Sequence, residues 1–297
     1  MKFEAIIDAI KAERCLPFLG AGASACYSYA GLDHAGVPLG GVLGKLIADE
    51  CNYKNGATFD LAKVAEYFVF KKSGRRDELE NLIKREVCRV TDPRPIHTVL
   101  AQLQQIRFVL TSNYDTLLEQ AMRQFGRELT NHNHDLQNPK TGHFRGSMFV
   151  KPPGIVLHKM HGTVEQPRSM VITQSDYIRY LANLNDLDRG MPEFFRKTVI
   201  PEYNLLFLGY SLEDWNFRVI WEGVLAAYRD AAIDLRSYAL MRDSTEFQRE
   251  FWLERKVRII DCDLTEFAVE LARAFNLDVP QLGIKKGVPA TEGVSPL

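Results

Sequence analysis

The sequence predicts an α/β fold with a mainly parallel sheet, helices on both faces and an inserted helical lobe, and three observations carry that reading. First, seven short apolar runs read as strands: CLPFLG (15–20), IRFVLTS (106–112), IVLHKM (155–160), SMVIT (169–173), NLLFLGY (204–210), RSYALM (236–241) and VRIIDC (257–262). Second, helical patterns separate most of them, and strands alternating with helices imply right-handed crossovers and parallel pairing. Third, residues 42–105 hold helical patterns (GVLGKLIADE, FDLAKVAEYFVFK, RDELENLIKREVC, PIHTVLAQL) and no strand, as a lobe inserted into the sheet would.

The elements follow in order. Phe3, Ile6, Ile7 and Ile10 recur at helical spacing, so residues 2–13 predict an amphipathic helix leading into the first strand. A Gly-rich turn and helix follow, and then the lobe. YDTLLEQAMRQF after 113 and LEDWNFRVIWEGVLAAYRD after 211 are crossover helices. The segments 31–41 and 130–154 read as irregular and suited to cover a ligand. One domain is expected over 1–280, with 281–297 a loose tail too poor in apolar residues to pack.

Composition narrows the function. The 37 Lys and Arg balance 38 Asp and Glu, so no global positive field exists to collect nucleic acid or anionic lipid. Five scattered cysteines never form C-x-x-C, which argues against disulfides or a thiolate zinc site and fits a reducing cytoplasm. Charges interrupt the N-terminal apolar stretch, and no run has the length of a membrane span, so a cytoplasmic protein is expected.

Four polar motifs sit at the ends of apolar runs, and in an open α/β sheet ligands bind outside the carboxyl ends of the strands. Gly20, Gly22 and Ala25 satisfy G-x-G-x-x-G/A after a strand, the setting for a pyrophosphate at a helix N-terminus; a plain tight turn satisfies it equally. A ribose-binding acid after a second strand is missing, which disfavours a hydride-transfer dehydrogenase. TSNYD places Thr111, Asn113 and Asp115 on one side of an extended segment, with Asp115 equally readable as a helix cap. His161-Gly162 puts an imidazole after the third motif strand, with a glycine to admit substrate. FLGYSLEDWN adds Gly209, Ser211 and Asp214 at a second Gly-Ser turn, where Ser211 also reads as an N-cap. NHNHD at 131–135 lacks the spacing of a zinc site and reads as surface loop rather than metal site.

Together, GAGAS, T-x-N-x-D, HG and LGYSLED resemble the sirtuin superfamily over residues 15 to about 265, and within it the bacterial sirtuin-like domains of antiphage defence. The resemblance implies a Rossmann-like sheet with NAD as substrate and no metal. Gly20, Ala21, Gly22, Ala23 and Ser24 would hold its pyrophosphate, Gly209, Ser211 and Asp214 would lie near its adenosine end, and Thr111 would also bind the cofactor. Asn113 would orient the nicotinamide ribose or the attacking water, His161 would be the general base, and Asp115 would orient either partner or support the turn. Protein-deacylating sirtuins carry two C-x-x-C pairs around a structural zinc; this chain has none, so a peptide substrate is disfavoured. The resemblance therefore implies an NAD hydrolase that depletes NAD during infection. The alternatives are an NAD-dependent deacylase or ADP-ribosyltransferase, and a non-catalytic NAD or ADP-ribose-binding regulatory module. A free NAD hydrolase would kill its host, so a homo-oligomer working beside a separately encoded partner such as a HerA-type ATPase is also expected.

Overall fold

In the computed structural model of the chain, residues 2–54, 59–135, 154–183, 191–212, 221 and 237–286 are described. Seven parallel strands form one sheet in the order β5-β6-β4-β1-β7-β8-β9. They are β1 (Cys15–Leu19), β4 (Phe108–Thr111), β5 (Leu129–Asn133), β6 (Ile155–Lys159), β7 (Asn204–Leu208), β8 (Ser237–Met241) and β9 (Val257–Asp261). A separate hairpin pairs β2 (Tyr27–Tyr29) with β3 (Leu32–His34).

The central strands are buried on both sides, and their alternate residues feed two cores. Leu16, Phe18, Leu110, Leu205 and Phe207 face one cluster with Tyr180, Phe195, Trp221 and Trp252. Leu19, Val109, Leu206 and Leu208 face the other, which is closed by four helices. These are α1 (Glu4–Lys11), α5 (Pro95–Gln102), α6 (Leu117–Gln124) and α10 (Leu264–Phe275). On the first face lie α7 (Gln174–Asn183), α8 (Ile200–Glu202) and α9 (Glu246–Glu254), so helices cover both faces as the alternation predicted.

The lobe is smaller than 42–105. A third core joins α2 (Gly40–Glu50), α3 (Leu61–Lys71) and α4 (Arg76–Val87) with Val164, Met170 and Ile172. The helix α5 belongs instead to the sheet, because its Ile96, Val99 and Leu100 pack beneath β4 and β6.

Four expectations are corrected. SMVIT is not a strand: its Ser169 closes a 3₁₀ turn (Pro167–Ser169), and Val171 N–H donates to His161 O at 3.1 Å rather than to a neighbouring strand. Residues 130–133, expected to be irregular, belong to the edge strand β5 (Leu129–Asn133), whose polar sequence suits a position with one open side. After the first Gly-rich turn there is no helix, only a three-residue 3₁₀ turn at Ala21–Ala23 followed by the hairpin. The segment expected to be a tail from 281 starts docked: Gln281 Nε2 donates to Pro93 O and Thr98 Oγ1, and Leu282 is buried. Residues 287–297 lie outside the described part.

Sequence order places the chain reversal beside β1. From β1 the chain builds outward through β4 and β6, then returns to the opposite edge of β1 with β7 and continues to β8 and β9. Such a switch point opens a crevice at the carboxyl ends, here between the turns that follow β1 and β7.

Those two turns interlock. Gly20 N–H donates to Leu208 O at 2.9 Å and Gly22 N–H to Gly209 O at 2.8 Å. Gly209 has φ +74°, and a Cβ there would meet Ala23 N at 2.1 Å and Gly22 C at 2.6 Å. Gly209→Ala should therefore lower stability by about 2 kcal/mol or more, from the left-handed backbone and the clash together. Gly41→Ala in α2, where a Cβ meets nothing within 4 Å, should instead be neutral or stabilising by up to about 1 kcal/mol. Urea unfolding of the two variants measures the contrast, and equal effects would refute the interlock.

Candidate active site

The four motif turns meet on one cavity of about 730 Å³ at the carboxyl end of the sheet. Ala21 to Ser24, Asn113, Asp115, His161, Gly209 and Ser211 all line it. Thr111 and Gly20 do not. The Thr111 hydroxyl donates to Leu19 O at 2.9 Å and accepts from Asn113 N–H at 3.0 Å, so it stitches β4 to β1 behind the wall. Gly20 is bare because a Cβ would strike Gly209 O at 2.7 Å and the Tyr210 ring, and its carbonyl receives Asn113. Asp214 lies outside the described residues.

Asn113 is the most constrained polar group on the wall. Its Nδ2 donates to Gly20 O at 2.9 Å and to Ser24 Oγ at 3.1 Å, which consumes both amide hydrogens. Among the described residues no protein donor meets its Oδ1. With its amide hydrogens spent, the side chain keeps only its oxygen, an acceptor, for a ligand. Asp115 resolves toward the cap: its Oδ1 accepts from Leu117 N–H at 3.0 Å at the start of α6. Beneath it Lys159 donates to Asp115 O and pairs with Glu119 at 2.9 Å, both side chains buried. Burial raises the Glu119 pKa despite that partner.

His161 follows β6 and is held edge-on by Tyr177 and Tyr180, with ring centroids at 5.2 and 5.3 Å. Burial pushes its pKa down to about 3, helped by His134 nearby. The imidazole is therefore neutral at physiological pH, able to accept a hydrogen bond but reluctant to keep a proton. Gly162 does not open the way for substrate: at φ +76° its missing Cβ makes room for Ser169, whose carbonyl would lie 2.4 Å away.

Sequence reasoning missed several wall residues. Tyr210 Oη donates to Ser112 Oγ at 3.0 Å, tying the turn after β7 to the turn after β4. Tyr27, Arg94 and Asp263 also line the cavity, brought there by element boundaries, as does Tyr177 from within α7. Of these only Arg94 carried a signal, a cation placed immediately before a helix start. The covering segment 31–41 is seated on the first turn, with Val37 N–H donating to Ser24 O at 2.8 Å. NHNHD is not surface loop throughout: His134 is buried, and His132 Nδ1 lies 2.7 Å from His158 Nδ1. Among the described residues no group of three or more His, Cys, Asp or Glu is placed to hold a metal ion. Among them also, no helix is long and apolar enough to cross a membrane.

The model of the SIR2-like domain matches residues 107–260, which carry three of the four motifs. The chain belongs to the SIR2-like family. Within it, the chain is 28% identical over 231 residues to a protein of Bacillus cereus (strain MSX-D12) named NAD(+) hydrolase ThsA, covering 75% of this chain and 45% of that one. An Enterococcus faecium protein of the same name is 25% identical over 228 residues, covering 71% and 44%. Defense-associated sirtuin 2 of Bacillus subtilis is 23% identical over 188 residues, covering 60% and 17%. The chain thus spans less than half the length of each of these relatives.

Four buried histidines make stability depend on acid, among them His158, which burial holds well below the usual imidazole range. His97 and His134 are pushed by burial to about 4, and His161 to about 3. An unfolded imidazole takes up its proton near pH 6.5, the folded ones only well below that. Below 6.5 the unfolded state binds more protons, so stability falls as pH drops, by about 1.4 kcal/mol per pH unit for each such histidine, until the folded pKa is reached. The His161 ring proton shift should stay constant from pH 8 to 5 by NMR while stability declines. An inflection near 6.5 for His161 would contradict its burial.

Proposed function

We propose that the cavity binds NAD and that the protein hydrolyses the bond between nicotinamide and ribose. The observation that carries this reading is the convergence of the interlocked Gly turns, the Asn113 acceptor and the neutral His161 on one cavity large enough for a dinucleotide. The names of the Bacillus and Enterococcus relatives, NAD(+) hydrolase, support it.

In the proposed reaction the C–N bond to nicotinamide breaks, the sugar becomes cation-like, and water supplies the new C–O bond, giving nicotinamide, ADP-ribose and a proton. Catalysis of this kind rests on positioning and fixed dipoles. Asn113 Oδ1, aimed by the two bonds of its amide nitrogen, faces the developing positive charge or the incoming water. His161 accepts a hydrogen bond from a ribose hydroxyl or from that water, and its low pKa passes the proton on rather than storing it. Gly22 to Ser24 cradle the pyrophosphate, and Gly209 with Ser211 border the adenosine half.

By the same reading the protein is a cytoplasmic antiphage effector that acts by NAD depletion, in line with the name of the Bacillus subtilis relative. It would work as a homo-oligomer, with a partner such as a HerA-type ATPase. The exposed Leu39, Val42 and Leu46 on and just before α2, beside the cavity mouth, support an assembly surface there.

Purified protein should release nicotinamide and ADP-ribose from NAD with no acylated peptide present, as chromatography would show. Asn113→Ala and His161→Ala should each cut turnover by a factor of about 100 to 10,000 with the fold retained. Turnover that requires an acyl-lysine peptide would favour the deacylase. NAD binding with no turnover in any oligomeric state, followed by light scattering, would favour the regulatory module.

A further inference from the structure

The cradle at Gly22–Ser24 has a deficit. A long helix after a Gly-rich turn brings a dipole that favours a phosphate, but here the turn is three residues long and ends in a hairpin. The backbone N–H groups of Gly22, Ala23 and Ser24 already donate to Gly209 O, Gly20 O and Ala21 O, so the turn supplies no charge of its own. Arg94 and Arg242 are the cationic residues on the described wall. Arg242 is largely exposed and lies 3.5 Å from Asp263.

Arg94 is buried at 6% exposure, immediately before α5, with its guanidinium 5.5 Å from the centre of the Tyr27 ring. All its polar partners are neutral: Nε and Nη2 donate to Asp92 O, and Nη1 to Ala35 O. A guanidinium has five N–H donors, so two are left, one on each terminal nitrogen. Asp92 and Asp115 are close enough for their charge to be felt, yet among the described residues no carboxylate lies within 4 Å of Arg94.

Other interior cations are compensated. Arg76 pairs with Glu80 at 2.7 Å and Asp176 at 2.6 Å, and Lys159 pairs with Glu119. Arg127 donates to the carbonyls of Leu100, Ala101, Leu103 and Ile106 at the far end of α5, where the helix dipole is negative. Arg94 stands at the opposite end of that helix, where the dipole is positive, and burial lowers its pKa. The wall is continuous from this cation to the cradle, since Cys26 and Tyr27 prolong the Gly turn and Val37, two residues from the Ala35 partner, bonds Ser24.

From this geometry we infer that Arg94 is the phosphate-recognising residue of the cavity, its two remaining N–H groups meeting the bridging pyrophosphate of a dinucleotide. The inference deepens the NAD reading and rests on it for the identity of the ligand. A bidentate guanidinium contact to phosphate is both strong and directional, and a lysine reproduces its charge but not its fork.

Calorimetry of the wild type, Arg94→Gln and Arg94→Lys with ADP-ribose, ADP, 2′-phosphoadenosine and adenosine tests it. Arg94→Gln should weaken ADP-ribose and ADP by roughly 10- to 100-fold, as expected for charged hydrogen bonds, and adenosine by less than twofold. Arg94→Lys should fall between, and it decides the matter if Arg94→Gln does not fold. Unchanged ADP-ribose binding, or an equal loss for adenosine, would overturn the assignment, the latter marking Arg94 as a strut for the 31–41 segment. A loss confined to 2′-phosphoadenosine would overturn the pyrophosphate placement. If the wild type hydrolyses NAD and Arg94→Gln matches it in affinity, this inference fails and the NAD reading stands. If the wild type ignores NAD yet binds ADP in an Arg94-dependent way, the reverse holds.

Discussion

The site depends on a contact between two backbones. Gly22 and Gly209 approach closely enough for Gly22 N–H to bond Gly209 O, and neither position has room for a side chain. That approach fixes the ends of β1 and β7 against each other across the switch point of the sheet. Other constraints hang on it: the Gly20 carbonyl and Ser24 hydroxyl, held by this turn, aim Asn113, and the Ser24 carbonyl seats the segment over the cavity. The Tyr210–Ser112 bond then joins the same turn to β4. Glycines here serve packing as much as ligand approach, and the cavity is what remains when the turns are locked.

The chemistry of the wall is that of fixed dipoles and withheld charge. Asn113 has spent its donors and His161 is neutral, so the part of the cavity near them is poor in formal charge and rich in oriented acceptors. Behind them the buried Lys159–Glu119 pair stiffens the strand ends, while Asp115, on the wall itself, holds the start of α6 through Leu117 N–H. This division suits a reaction whose transition state gains positive charge on a sugar, because preorganised acceptors need no rearrangement as that charge develops. Positive charge sits elsewhere, at Arg94, where an anionic part of a ligand can meet it.

Much of this was legible in the sequence, for identifiable reasons. β1, β4, β6 and β7 are buried on both faces, so each reads as an unbroken apolar run, and the polar residue after each run falls at the carboxyl edge. β5 was hidden because an edge strand needs no apolar face, and SMVIT misled because strand-like composition does not say which backbone the segment will bond, here the His161 carbonyl just beyond β6. Asn113 and His161, each at the end of an apolar run, both line the cavity. Thr111 was placed one layer too far forward, since alternation gives the side of a strand and not the partner waiting there. Gly162 looked like an opening for substrate, yet what fills that space is Ser169, some residues downstream in an unforeseeable loop. Tyr210 meets Ser112 and Arg94 meets Ala35 and Tyr27, all far off in sequence, and no local pattern encodes such neighbours.

The most direct test of the account is hydrogen–deuterium exchange of the protein with and without ADP-ribose, under conditions where calorimetry shows the ligand bound. Protection concentrated at residues 20–26, 112–115 and 209–212 is the predicted result, because these backbones form the interlocked turns and the wall around Asn113. Binding accompanied by protection confined to other surfaces would contradict the placement of the site at the switch point of the sheet.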